Sequence, residues 1–116
     1  MVYRLFEVPE CREFIDSLGV APELIEGEEA QRLILESHDE RMTITFDVTG
    51  RSIHCLWSVG SRVLVEVFHE GAVKLRVGKS RGTATIDVDI ETDSAAGRLS
   101  LTVDPEFRLH DQTLLR

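Results

Sequence analysis

At 116 residues, with 42% hydrophobic and 29% charged side chains, the chain has the makeup of one soluble globular domain, too short for a second core and too apolar for a disordered segment. Its 21 acids against 13 basic residues leave a net charge of −8, which argues against nucleic acid and anionic membrane as partners and favours a basic protein. Two cysteines, Cys11 and Cys55, form neither a disulfide framework nor a zinc pattern. With no membrane-length apolar run and no secretion signal at the start, a cytoplasmic protein with reduced, buried thiols is expected.

Residues 1–29 differ from the rest. "PECREFIDSLG" offers Pro9 as a helix opener and Gly19 as a stop, with Cys11, Phe14, Ile15 and Leu18 on one helical face. "APELIEGEE" follows, with Pro22 and a single helical turn before Gly27. From Ala30 the apolar period changes to two and β-branched residues become frequent, the signature of strands. Turns at Asp39-Glu40, Thr49-Gly50, Gly60-Ser61 and Glu70-Gly71, with loops at Lys79 to Gly82 and Ser94 to Gly97, place nearly every large apolar residue on one face.

The expected architecture is α+β: one domain over 1–116, with a helical segment (1–29), an antiparallel meander of about seven strands (30–104) and a C-terminal strand or tail (105–116). The amphipathic helix should cover the apolar face, or the sheet should curl into a half-barrel and cover itself.

On the outer face of that meander, "TIDVDIETD" (85–93) projects Asp87, Asp89, Glu91 and Asp93 at alternate positions. The ordinary reading is the wet side of a strand, with Lys74 and Arg98 as cross-strand compensation; the functional one is a docking face for a cationic partner. A calcium loop is excluded, because the sixth and twelfth places counted from Asp87 hold Thr92 and Arg98 instead of glycine and glutamate. Leu56, Val63, Val65 and Val67 are expected to project outward beside the acids, as the apolar centre of a contact surface.

Glu66 is expected on the inner face between Cys55 and Leu75, where it would be satisfied by a partner such as the Trp57 indole, or would orient a ligand in an enclosed pocket. Asp47, Ser52 and His69 fall in one lateral row, but Ser52 stands between the other two, which rules out a serine protease-like relay. His54 and His69 lack a ligand spacing that compels a metal, and "VGKSRG" is not a phosphate loop, so neither metal nor cofactor is indicated.

No residue pattern names a family. In composition and size the chain resembles bacterial toxin inhibitors, immunity proteins and antitoxins, which implies a non-enzymatic module that engages another protein. Two other readings stand beside it: a ligand-binding or catalytic half-barrel built on Glu66, and a homodimer paired through the valine patch.

Overall fold

The structure, a computed structural model, describes residues 5–115. Helix α1 (Cys11–Leu18) is followed by nine strands: β1 (Glu23–Leu24), β2 (Ala30–Ser37), β3 (Glu40–Asp47), β4 (Ser52–Val59), β5 (Arg62–Glu70), β6 (Ala72–Ser80), β7 (Thr83–Glu91), β8 (Ala95–Asp104) and β9 (Arg108–Leu115). They form two antiparallel sheets, ordered β1-β2-β3-β4-β5 and β6-β7-β8-β9. The expected single meander is therefore divided, and neither sheet closes into a barrel.

The division falls at Gly71. Glu70-Gly71 does not fold β6 back onto β5; it carries the chain from one sheet to the other. Gly71 has φ +86°, and an added Cβ would lie 2.6 Å from the Glu91 carbonyl oxygen, so any side chain here would collide with the end of β7. The Arg51 carbonyl accepts hydrogen bonds from both Gly71 and Ala72, and the Gly71 carbonyl accepts one from Glu91, which ties the crossing point to each sheet.

Strand alternation then builds one core from two faces. Leu33, Met42, Ile44, Phe46, Ile53 and Cys55 of the first sheet meet Leu75, Ile86, Val88, Leu99 and Leu101 of the second, all of them buried. Burial pushes the Cys55 thiol up to about 12, whereas Cys11 lies exposed on α1. A thiol reagent at pH 8 should accordingly titrate one cysteine in the native protein and two after denaturation. Two fast-reacting native thiols would show that the core is open at Cys55.

Helix α1 ends where Gly19 adopts φ +78° and donates its N–H to the Ile15 carbonyl. It lies against β6 and β7 while its Phe14 ring stacks on Phe46 of β3, so it plugs the core between the sheets instead of covering one face. Phe14 is buried and Leu18 packs against the core, but Cys11 and Ile15 remain exposed, a narrower apolar stripe than expected. Phe6 adds an edge-on contact to Phe46, and Glu7 forms a parallel bridge to Lys74 of β6. The expected helical turn after Pro22 is instead β1, with Glu23 opposite Arg32 and Leu24 opposite Gln31. The C-terminal tail adds β9, preceded by Phe107, which packs edge-on against Trp57.

Candidate protein-docking surface

Because the two apolar faces look at each other, the two outer faces point away from one another. The acids of β7 and the apolar residues of β4 and β5 consequently lie on opposite sides of the molecule, and the single acidic and apolar face expected from the sequence does not form.

On the second sheet, Asp87 faces Arg76 and Ser100, and Asp89 faces Lys74 and Arg98. Asp89 accepts contacts from Arg76 Nη2 at 2.8 Å and Arg98 Nε at 3.0 Å. Partial burial pushes the Asp89 carboxyl up, but these two guanidinium groups outweigh it and hold the carboxyl below its ordinary range. Asp93 is not in the row at all. Thr92 donates to the Ala95 carbonyl, which leaves Asp93 and Ser94 at the tip of the β7–β8 turn. Around Asp87, Asp89 and Glu91, this face also carries Lys74, Arg76, Arg98 and Arg108. Its charges cancel locally, as those of a solvated strand do.

A pH dependence follows from the sign of the Asp89 shift. A carboxyl held low in the folded state stabilises above the unfolded value, about 3.9, and that contribution disappears as pH falls through the folded value. Asp89→Asn should cost at most about 1 kcal/mol at pH 7, as exposed ion pairs do. Urea midpoints of the variant and wild type should converge at acid pH, once pH has fallen below the lowered folded value. A gap that persists there would assign the loss to packing instead of charge.

On the first sheet, a bulge rearranges β5. Ser58 pairs with Val63 and Trp57 with Val65, so Leu64 has no opposite number and every residue after it changes face. Val65 and Val67 thus turn inward, opposite Trp57 and Cys55, and Val67 packs against the core. Glu66 turns outward opposite Leu56, with its side chain 61% exposed and Oε1 3.2 Å from His54 Nε2. The interior carboxylate expected at Glu66 does not exist, and the half-barrel pocket built on it loses its footing. Trp57 Nε1 donates instead to Glu40 Oε1 at 3.1 Å.

The same change of face separates His69 from Ser52 and sends it inward, where Nε2 lies 2.9 Å from the Asp111 carboxylate and links β5 to β9. Among the described residues, no group of three His, Cys, Asp or Glu side chains is placed to hold a metal. What remains outward on this side is an apolar strip: Leu56, half-buried, with Val63, Leu64 and Phe68 at 56%, 47% and 58% exposed. Val63 and Leu56 are where the sequence put them; Leu64 and Phe68 were missed because their face depends on the bulge.

Most of the net charge lies elsewhere. Residues 5–29 hold eight acids, Glu7, Glu10, Glu13, Asp16, Glu23, Glu26, Glu28 and Glu29, against one base, Arg12, a balance of −7 in a chain of −8. Glu26, Glu28 and Glu29 lie exposed in the turn between β1 and β2, and none of the three has an ion-pair partner among the described residues. Alternation hid this cluster, whereas a running sum of charge along the chain would have found it.

No family model matches the chain, and no curated protein does. A solved structure does match. The fold is similar to that of a chain in the contact-dependent growth inhibition toxin - immunity protein complex from Klebsiella pneumoniae 342, with a TM-score of 0.82 over 95% of this chain and 99% of that one. At 12% identity the likeness is one of fold. It extends over both sheets and is not confined to a shared motif. No helix among the described residues is long and apolar enough to cross a membrane.

Proposed function

We propose that this chain is a non-enzymatic protein-binding module of the immunity or toxin-inhibitor kind, with a basic protein as its partner. The observation that carries the reading is the nearly end-to-end match to a chain of a toxin and immunity protein complex. The charge distribution supports it and selects a surface. The outer face of the first sheet is flanked at its β1 edge by the glutamate turn and carries Val63, Leu64 and Phe68 at its β5 edge, with Leu56 beside them. Unpaired acids steer a basic protein from a distance, and exposed apolar side chains hold it after contact.

In this reading Asp87, Asp89, Glu91 and Asp93 contribute less, since basic neighbours offset most of their field. Val65 and Val67 face inward, and Val67 packs against the core. The deciding experiment is capture from the source cell's lysate at low and moderate salt, with wild type beside the triple variant Glu26→Lys, Glu28→Lys, Glu29→Lys. A basic protein retained by wild type, and released by salt and by the variant, is the expected result. Capture that ignores both changes, or self-association as the sole interaction, would sink the proposal.

A further inference from the structure

Among the described residues, Arg32 is the one cation with a covered and unpartnered side-chain nitrogen. It projects from β2 into a half-open cavity of about 390 Å³, lined by Val20, Ala21, Pro22, Glu23, Arg32 and Ile34. No side-chain hydrogen bond or ion pair joins its guanidinium to any described residue. Glu23, directly opposite across the β1–β2 ladder, is exposed and does not pair with it. The Arg32 Nε is covered and unpartnered, and no other side-chain nitrogen or oxygen among the described residues is in that state.

Leaving a buried polar donor unmade costs on the order of 1–3 kcal/mol, so the position is unfavourable in the free protein unless something else benefits. Arg32 is half-buried overall, and its Nε is the covered atom, so the side chain is enclosed at the root of its guanidinium. The two Nη groups of such a guanidinium form the fork that takes a carboxylate through two parallel hydrogen bonds. Four of the six lining residues, Val20, Ala21, Pro22 and Ile34, are apolar, and the volume is that of a small-molecule or side-chain pocket.

We infer that this cavity is a binding site for a monocarboxylate carried on a small apolar group, as in an acylated apolar amino acid or the C-terminus of a peptide that ends in one. Arg32 holds the carboxylate, and Val20, Ala21, Pro22 and Ile34 enclose the apolar part. Glu23 at the rim repels a second negative charge, which disfavours dicarboxylates and phosphates. The site stands on Arg32 and its cavity and does not rest on the toxin-directed reading.

The test is a titration of the ¹⁵N-labelled full chain with N-acetyl-leucine, its neutral carboxamide, and the peptide acetyl-Ala-Ala-Leu, followed by NMR. The acids should give saturable shifts at the Arg32 Nε–H and at the amides of Ala21, Glu23, Arg32 and Ile34, and the carboxamide should not. Arg32→Gln should weaken binding of the acids at least about tenfold. Ala21→Phe, which fills the cavity from an exposed position and leaves the guanidinium in place, should do the same. Tighter binding of the tripeptide assigns the site to peptide termini, and equal binding assigns it to free acids. Absence of saturable shifts up to about 20 mM, a range that reveals even millimolar sites, would overturn the inference. Equal binding of the carboxamide, or unchanged binding by Arg32→Gln, would do so as well.

Discussion

Reversal of Glu26, Glu28 and Glu29 to lysine should slow association with the basic partner by about tenfold to a hundredfold at low ionic strength, within the range that electrostatic steering spans. The three side chains are exposed and have no ion-pair partners among the described residues, so their removal breaks nothing in the fold. The change moves the chain most of the way from −8 toward neutrality. The loss should appear in the association rate much more than in the dissociation rate, because the glutamates lie at the opposite edge of the sheet from the apolar strip and do not fill the contact. Raising salt should shrink the difference, since the Debye length falls from about 10 Å at 0.1 M to about 3 Å at 1 M. Stopped-flow or surface-based kinetics with the captured partner reads both rates. The same reversal at Asp87 and Asp89 should slow association less, and would also disturb the contacts with Arg76 and Arg98. If reversal on β7 has the greater effect on association, the docking surface lies on the second sheet.

Phe46→Ala should be strongly destabilising. Phe46 is 1% exposed, stacks on Phe14 with ring centroids 5.9 Å apart, and meets Phe6 edge-on at 6.4 Å. Removing a buried phenylalanine costs about 3–5 kcal/mol through lost transfer energy and the cavity left behind. That is a large share of the roughly 5–15 kcal/mol by which domains are stable. The loss should also be uneven. Phe14 is the buried residue of α1, so the helix depends on this ring for its place. Chemical denaturation should show a lower midpoint, and hydrogen exchange should show α1 amides losing more protection than those of β7 and β8. Uniform loss across the chain would mean that the helix is held by other contacts.

Spacing along the chain determines strand pairing where it has one physical solution. The β3–β4 register and the Gly60-Ser61 turn agree with the structure, with Ile44 opposite Cys55, Met42 opposite Trp57 and Val59 opposite Arg62. Elsewhere the parity was right and the register was not. Leu33 meets Ile44 instead of Phe46, Leu75 meets Val88 instead of Ile86, and Val88 meets Leu99 instead of Val103. Alternation fixes which face a residue occupies but is blind to slips of two or four, which are set by the turn. His38, Arg81 and Gly82 adopt φ of +58°, +53° and +78°. The β2–β3 turn accordingly falls at His38-Asp39, one residue earlier than expected, and β6–β7 closes through Arg81-Gly82 in place of the expected four-residue loop.

Two features had no readable signal. A two-residue gap at Glu70-Gly71 looks the same whether the chain folds back or crosses to another sheet. The run Val63-Leu64-Val65 is apolar at every position, so it contains no phase from which a bulge could be seen. The docking surface was half legible for the same reason: Val63 precedes the change of face on β5 and Leu56 lies on the unbulged β4, whereas Glu66, Val67 and Phe68 follow the change.

That bulge also bears on how such a surface can change over generations. Deleting Leu64 would remove the unpaired residue and leave Val65, Glu66, Val67 and Phe68 on the faces they now occupy. Loss of Val63 or Val65 would be absorbed in the same way, because two apolar residues would still remain for the places opposite Ser58 and Trp57. The bulge is thus a spare residue: the strand can lose one codon here without turning Glu66 toward the core, whereas a deletion in a strand without a bulge would reverse every face beyond it.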